Sequence, residues 1–278
     1  MTERPRTTLA GPSRTYKGVG LHSGADASVR LLPAEAGAGL VFRDRATGQE
    51  IPARAANVTD TSRCTRLGLN GVEVQTVEHV LSALAGLGVD DALIETEGGE
   101  MPAGDGSAAP FVALVRALGL REQPGATVSP LTLPAPVTLS VNGGTVVALP
   151  ADRLTFTVVL DYPRHPYIGT LAATFDAAGG DYGAEIAPAR TFGFLSEIEA
   201  LRAHGLGLGA SRANAVVLGE DDYETPLRFA NELARHKLLD LIGDLSLLGR
   251  PLLAQVIAVR PGHALNARLA RTLSDIPH

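Results

Sequence analysis

The sequence predicts an α+β protein of two similar domains, on three observations. Short strand-like runs open each half of the 278 residues, and each half then turns to a helical pattern followed by one more strand. Residues 122–136 carry Pro124, Pro130 and Pro134 with little helical periodicity and read as a linker, which places the domains at 1–125 and 126–278. A motif also repeats. His79-x-Leu81-x-x-Leu84-x-Gly86 matches His236-x-Leu238-x-x-Leu241-x-Gly243, and each copy precedes a strand. If the match reflects duplication, two α+β units face each other and each offers a histidine at the same place on its helix; two amphipathic helices can also echo one another by chance.

In order, residues 15–20, 27–32 and 40–43 are short runs with β-branched or alternating apolar residues, separated by Gly, Pro and Ala. Residues 76–87 show Val77, Val80, Leu81, Leu84 and Leu87 at three- and four-residue steps, a helix with Gly86 and Gly88 as stop signals. A strand at 92–96, a Gly/Pro loop through Asp105–Gly106–Ser107 and a helix at 109–118 complete the first half. The second half has strands near 137–141, 145–149 and 154–160, then helical stretches. The last helix spans about 226–248, after an Asp/Glu/Thr cluster suited to an N-terminus, and a strand at 252–259 follows.

Composition bounds the function. Hydrophobic residues make up 45% and charged residues 19%, which fits a globular chain and excludes a disordered one. Lys+Arg 24 against Asp+Glu 30 gives a net charge of −6, and without clustered cations a nucleic-acid partner is not expected. Cys64 is the one cysteine, so no intrachain disulfide can form; with no signal peptide in evidence, a cytoplasmic location is expected. The longest apolar stretch, 238–259, is interrupted by Asp240, Asp244, Arg250 and Pro251, so it does not read as a membrane span. A monomer is expected. Only Lys17 and Lys237 among the basic residues are lysine.

The chemistry gathers at a few short motifs. His236 and Asp240 stand at i and i+4, so on a helix they share a face and can bind one metal ion; a solvated His–Asp pair would have the same spacing. Asp244 lies one turn further on and could orient a neighbour. Glu78–His79 opens the other helix, where an imidazole can ligate metal while the carboxylate takes a proton from water, although a Glu in a first turn is also ordinary helix-start chemistry. His263, in Gly262–His263–Ala264–Leu265–Asn266, reads as a loop residue displayed after a strand. Residues 18–24 form a glycine-bracketed turn around His22 that could let a ligand approach the backbone. GxGxxG and GxxxxGK[ST] are both missing, which rejects dinucleotide and P-loop sites. Jointly, two histidines, a carboxylate, a base and a spare histidine are the requirements of metal-assisted hydrolysis.

Six motifs, in order from about residue 15 to 270, resemble the UDP-3-O-acyl-N-acetylglucosamine deacetylase family of lipid A biosynthesis. They are 18–24, Val77–Glu78–His79 with 85–88, 105–108, Ala189–Arg190–Thr191–Phe192–Gly193, 235–240 with 242–245, and 262–266. The resemblance implies removal of acetate from an acylated UDP-sugar, UDP-3-O-(3-hydroxyacyl)-N-acetylglucosamine. It implies two α+β domains with helices sandwiched between two sheets and the metal site where they join. His79, His236 and Asp240 would ligate Zn2+, and ferrous iron, Fe2+, would also suit these ligands. Glu78 would be the general base and Thr191 a donor to the oxyanion. His263 would be the charged acid, positioned by Asp244. Lys237 would contact the substrate near its diphosphate and Phe192 would line the substrate passage, with His22 and Cys64 in peripheral roles. An insert would form the acyl groove, for which Leu-rich 195–201 is the candidate wall; core packing explains those leucines almost as well. The family's first insert is expected at 34–53. His165 has a family counterpart without an assigned role, while His204 and His278 read as surface residues.

Two alternatives stand beside this reading. One is a metal-dependent amidase of the same fold acting on another acylated sugar or peptide-like amide. The other is a non-catalytic nucleotide-sugar-binding relative, against which the presence of Glu78, His263 and the full ligand set argues.

Overall fold

The computed structural model describes residues 3–277, which leaves His278 outside the described residues. It is a mixed α/β structure with several sheets. A five-stranded sheet runs in the spatial order Tyr16–Val19, Asp26–Pro33, Ala92–Glu97, Leu40–Asp44, Glu50–Pro52. A second runs Val137–Val141, Gly144–Pro150, Leu252–Val259, Thr155–Tyr162, Gly169–Asp176, with Leu131–Thr132 joining Leu252–Val259 in parallel.

Numbered by chain order within each, the two sheets have the same order, 1-2-5-3-4. In both, the last strand enters the centre, antiparallel to the second and parallel to the third. Neighbours on both sides suit these central strands to apolar residues, and Ala92, Ile94, Ala254, Val256 and Ala258 are buried. The segments that precede the central strands differ. A three-stranded sheet, Val58–Asp60, Arg66–Leu69 and Val72–Gln75, fills this place in the first half, and a longer segment with a small parallel pair, Phe192–Phe194 and Val216–Leu218, fills it in the second.

Six α-helices are described: α1 (Glu78–Gly86), α2 (Ala109–Leu118), α3 (Tyr182–Glu185), α4 (Ile198–Ala203), α5 (Glu232–Leu245) and α6 (His263–Ser274). In each half one helix precedes the central strand, α1 or α5, and another follows it, α2 or α6. Helix α1 packs on α5 and on α2, and α5 packs on α6 and on the strands Thr155–Tyr162 and Gly169–Asp176. Because both α1 and α5 have neighbours on several sides, they are apolar around most of their circumference. Val80, Leu81, Leu84, Leu233, Leu238, Leu239 and Leu241 are all fully buried, each contributing roughly 1.5–3 kcal/mol. The repeated glycines let the helices approach closely. A Cβ on Gly243 would stand 2.1 Å from the Glu78 carbonyl oxygen, and one on Gly86 would stand 2.4 Å from the Tyr182 ring.

Four expectations need correction. The stretch 122–136 is largely strand: Leu120–Val128 pairs antiparallel with Arg4–Leu9. Its prolines fit because the register jumps from Arg6↔Gln123 to Pro5↔Thr127, so that Pro124, which has no N–H to donate, lies in the bulge. The helix expected over about 226–248, α5, starts at Glu232 and is not the last, because the Glu232 carboxylate accepts from the backbone N–H of Arg228 and from Arg190 and ties the preceding segment into a loop. His263 is the first residue of a helix, not a loop residue. Within 34–53 two strands belong to the first sheet, and the segment extra to the shared topology is the three-stranded sheet at 58–75.

Candidate active site

Close packing of α1 on α5 brings the histidine of each to one point. His79 Nε2 lies 3.8 Å and His236 Nε2 3.4 Å from Asp240 Oδ1. The two rings meet edge to face with centroids 5.2 Å apart, and ligand atoms of the three side chains lie within 4.8 Å of one another. His236 Nδ1 is 3.1 Å from the Ala189 carbonyl, which accepts its proton and leaves Nε2 as the free lone pair. Asp240 Oδ2 accepts from Lys237 Nζ at 2.7 Å, while Oδ1 is buried and has no hydrogen-bond partner.

Electrostatics agree with that geometry. Burial and the neighbouring His236 push His79 down to about 3, and burial also lowers His236, so both imidazoles are neutral at pH 7. Against the cost of burial, His236 and Lys237 hold the Asp240 carboxyl below the ordinary carboxylate range. Two neutral imidazoles facing a buried, orphaned carboxylate oxygen fit a divalent cation.

Glu78 and His263 face this point from other directions. Glu78 opens α1, and its Oε2 accepts from the Thr65 backbone N–H at 3.0 Å. His263 Nε2 lies 3.9 Å from Glu78 Oε1 and 3.9 Å from Asp240 Oδ2. Behind it, Nδ1 donates to Asp244 Oδ2 at 2.9 Å, and Asp244 also accepts from Thr65 Oγ1 at 2.5 Å and Asn266 Nδ2 at 2.9 Å. Burial pushes Glu78 up to about 7, with Asp244 and Asp240 adding to it and His263 opposing. Burial works against the charge on His263, but Asp244 and then Glu78 outweigh it and raise the imidazole to about 9.

Of the remaining expected residues, Thr191, Phe192, Lys237 and His263 line one cavity of about 480 Å3 together with Tyr162 and Arg260. Lys237 Nζ stands 5.6 Å over the Phe192 ring. Thr191 is placed by the Asp105–Gly106–Ser107 turn: its N–H donates to the Gly106 carbonyl at 2.8 Å, and a Cβ on Gly106 would meet the Asn214 carbonyl at 1.8 Å. His22 and Cys64 are buried and line no part of this cavity. At the 18–24 turn the group approaching the backbone is a side chain of the chain itself, since the N–H groups of His22 and Ser23 each donate to the Glu100 carboxylate at 2.8 Å. Burial pushes the Cys64 thiol up to about 12, so it carries no thiolate at neutral pH. Thr65 and Asn266 were missed. Asn266 follows His263 by three residues, a helical step that becomes visible once α6 is known; Thr65 carries no sequence signal.

Hydrolysis is the chemistry open to such a point. A carboxylate near 7 can draw a proton from water, and a charged imidazole near 9 can hand one to a departing amine, on either side of a place for a cation. Those are the groups that a metal-assisted hydrolase needs. The profile of the UDP-3-O-acyl N-acetylglycosamine deacetylase family, LpxC, matches residues 6–275, and the chain belongs to that family. A UDP-3-O-acyl-N-acetylglucosamine deacetylase of Myxococcus xanthus (strain DK1622) is 44% identical over 268 residues, covering 95% of this chain and 84% of the relative. Proteins with the same name from Leptospira biflexa (strain Patoc 1 / Ames) and Syntrophotalea carbinolica are each 42% identical, covering 94% and 96% of this chain and 87% of each relative.

Proposed function

We propose that His79, His236 and Asp240 hold one divalent cation, zinc before ferrous iron, in an enzyme that removes the N-acetyl group from UDP-3-O-(3-hydroxyacyl)-N-acetylglucosamine. As a member of its family the chain is a deacetylase, an amide hydrolase of lipid A biosynthesis. The observation that carries the metal reading is Asp240 Oδ1, buried without a hydrogen-bond partner between two neutral imidazoles.

An amide carbonyl is a poor electrophile and an amine a poor leaving group. Zinc held there would make water a better nucleophile near pH 7 and would polarise a carbonyl oxygen. Glu78 accepts the proton that water gives up as it attacks the acetyl carbon. The Thr191 hydroxyl donates to the oxygen that becomes negative, an interaction typically worth ~3–4 kcal/mol. His263, kept charged by Asp244, stabilises that negative charge and protonates the amine nitrogen as the C–N bond breaks. Lys237 supplies positive charge for the diphosphate, and Phe192 lines the passage. Leu195 and Leu208, 46% and 50% exposed, are apolar surface for the acyl chain. His22 and Cys64 flank the site from within the protein.

The reading includes two α+β domains, 1–125 and 126–278, with helices sandwiched between their sheets and the cation at the junction. The shared strand order and the contact of α1 with α5 support it. All three ligands come from one chain, so a monomer suffices. A cytoplasmic location fits the lone, buried cysteine, and among the described residues no helix is long and apolar enough to cross a membrane. The test is elemental metal analysis coupled to an acetate-release assay on the acylated UDP-sugar. Full turnover by metal-free protein would overturn the metal reading. Equal turnover of the UDP-sugar without its acyl chain would overturn the substrate.

A further inference from the structure

A second cleft, of about 550 Å3, opens where residues 85–89, at the C-terminal end of α1, meet residues 242–253. It shares no lining residue with the cavity beside His263. Leu40, Leu87, Phe156, Phe175, Ile242 and Leu252 form its apolar walls. Arg4, Arg6 and Arg54 stand with them, and two of these are neutralised. Arg4 grips Asp90 through bonds of 2.7 and 2.9 Å, and Arg6 grips Asp91 through two of 2.7 Å. Their carboxylates are taken up further, Asp90 by the Thr7 N–H at 2.8 Å and Asp91 by the Gly39 N–H at 2.7 Å.

Arg54 is the third, and among the described residues its guanidinium has no hydrogen bond or ion pair. Burial lowers its pKa, the nearby Arg6 adds to the effect, and Asp91 only partly opposes it. Two glycines make its seat. A Cβ at Gly249 would stand 1.5 Å from Arg54 Nη1, and one at Gly39 would stand 3.1 Å from Nη2. Of these three, Arg54 is the one whose guanidinium no aspartate grips. Arg250, also on the wall, donates through Nη2 to the Ile276 carbonyl at 3.4 Å.

We propose that this cleft binds a fatty-acid carboxylate, with its head on the fork of Arg54 and its chain along the apolar walls. A partly buried guanidinium with unused donors is costly, and a carboxylate satisfies two of them at once. The single Arg54 fork, with two parallel donors, matches the two oxygens of one carboxylate. Apolar walls with one convergent polar group are the usual make-up of a small-molecule pocket of this size.

The test is calorimetric titration of octanoate, decanoate and laurate into the full chain, with and without a hydroxamate chelator filling the catalytic site. The expected result is one saturable site that persists under the chelator, with affinity rising about fourfold per added methylene. Dodecyltrimethylammonium, with the same tail and the opposite head, binds at least tenfold more weakly; this comparison on wild-type protein needs no variant. Arg54→Gln weakens laurate at least tenfold and leaves acetate release unchanged. Displacement of laurate by the chelator, equal binding of the two heads, or undiminished binding in folded Arg54→Gln protein would each overturn the proposal. None of these outcomes bears on the deacetylase reading, because metal and turnover are measured at the other cavity.

Discussion

Asp244→Asn isolates what holds the charge on His263. The carboxylate lies 2.9 Å from Nδ1, and with it in place the imidazole stands at about 9 against an ordinary 6.5. That difference, at 1.36 kcal/mol per unit, is worth about 3 kcal/mol in favour of the charged form. Asparagine keeps the shape and one acceptor but removes the negative charge, while burial continues to favour the neutral ring. The value then falls by at most the whole difference, because Glu78 and Asp240 still favour the charge; at that limit the protonated fraction at pH 7.5 falls from nearly all to about a tenth. Acetate release from the acylated UDP-sugar, followed from pH 5.5 to 9.5, should show kcat/KM down by up to roughly tenfold at pH 7.5 with little deficit at pH 6. The basic limb should move down, by up to about two units. The same coupling acts on folding. A pKa raised in the folded state stabilises fully below pH 6.5, and the stabilisation is lost as pH rises through about 9, so metal-free wild-type protein should lose melting temperature over that window and the variant should not. A basic limb that stays in place, or a deficit equal at every pH, would refute Asp244 as the source of the charge.

Three further outcomes follow from the same geometry. Glu78→Ala should retain its metal and melting profile yet lose 10²–10⁴ in kcat, since Glu78 acts on water rather than on the cation; near wild-type turnover would remove it from the mechanism. His79→Ala should fall well below one equivalent of zinc by elemental analysis, and undiminished zinc would contradict its role as a ligand. Gly243→Ala forces a Cβ to within 2.1 Å of the Glu78 carbonyl, so α1 must back away from α5. It should cost roughly 1–3 kcal/mol in denaturant unfolding and weaken metal retention, and unchanged values for both would show that the close approach is dispensable.

Much of this was legible in the chain. Strands at 137–141 and 252–259 and the helix at 109–118 were placed to the residue, because each has clean periodicity and flanking breakers. The echo between His79 and His236 was visible because the histidine and the closely packed glycine stand seven residues, about two turns, apart along each helix. What stayed hidden depends on partners distant in sequence. Leu120–Val128 looks like a linker until Arg4–Leu9 lies beside it. Thr65 is an ordinary threonine until the fold sets it 2.5 Å from Asp244, 179 residues away. His263 was found as a chemical group but placed on a loop, since the helix it opens has no side-chain cap to announce it.

The shared strand order has a last consequence for the cation proposed between α1 and α5. The equivalent of Asp240 on the other helix is Ala83, and the equivalent of Glu78 is Arg235, so the duplicated scaffold is symmetric in its imidazoles and lopsided in its acids. On the proposed reading, one side brings a ligand and the base, and the other brings two ligands and the acid. Neither could retain a cation alone, and its escape rate therefore becomes a gauge of how often the seam between α1 and α5 loosens.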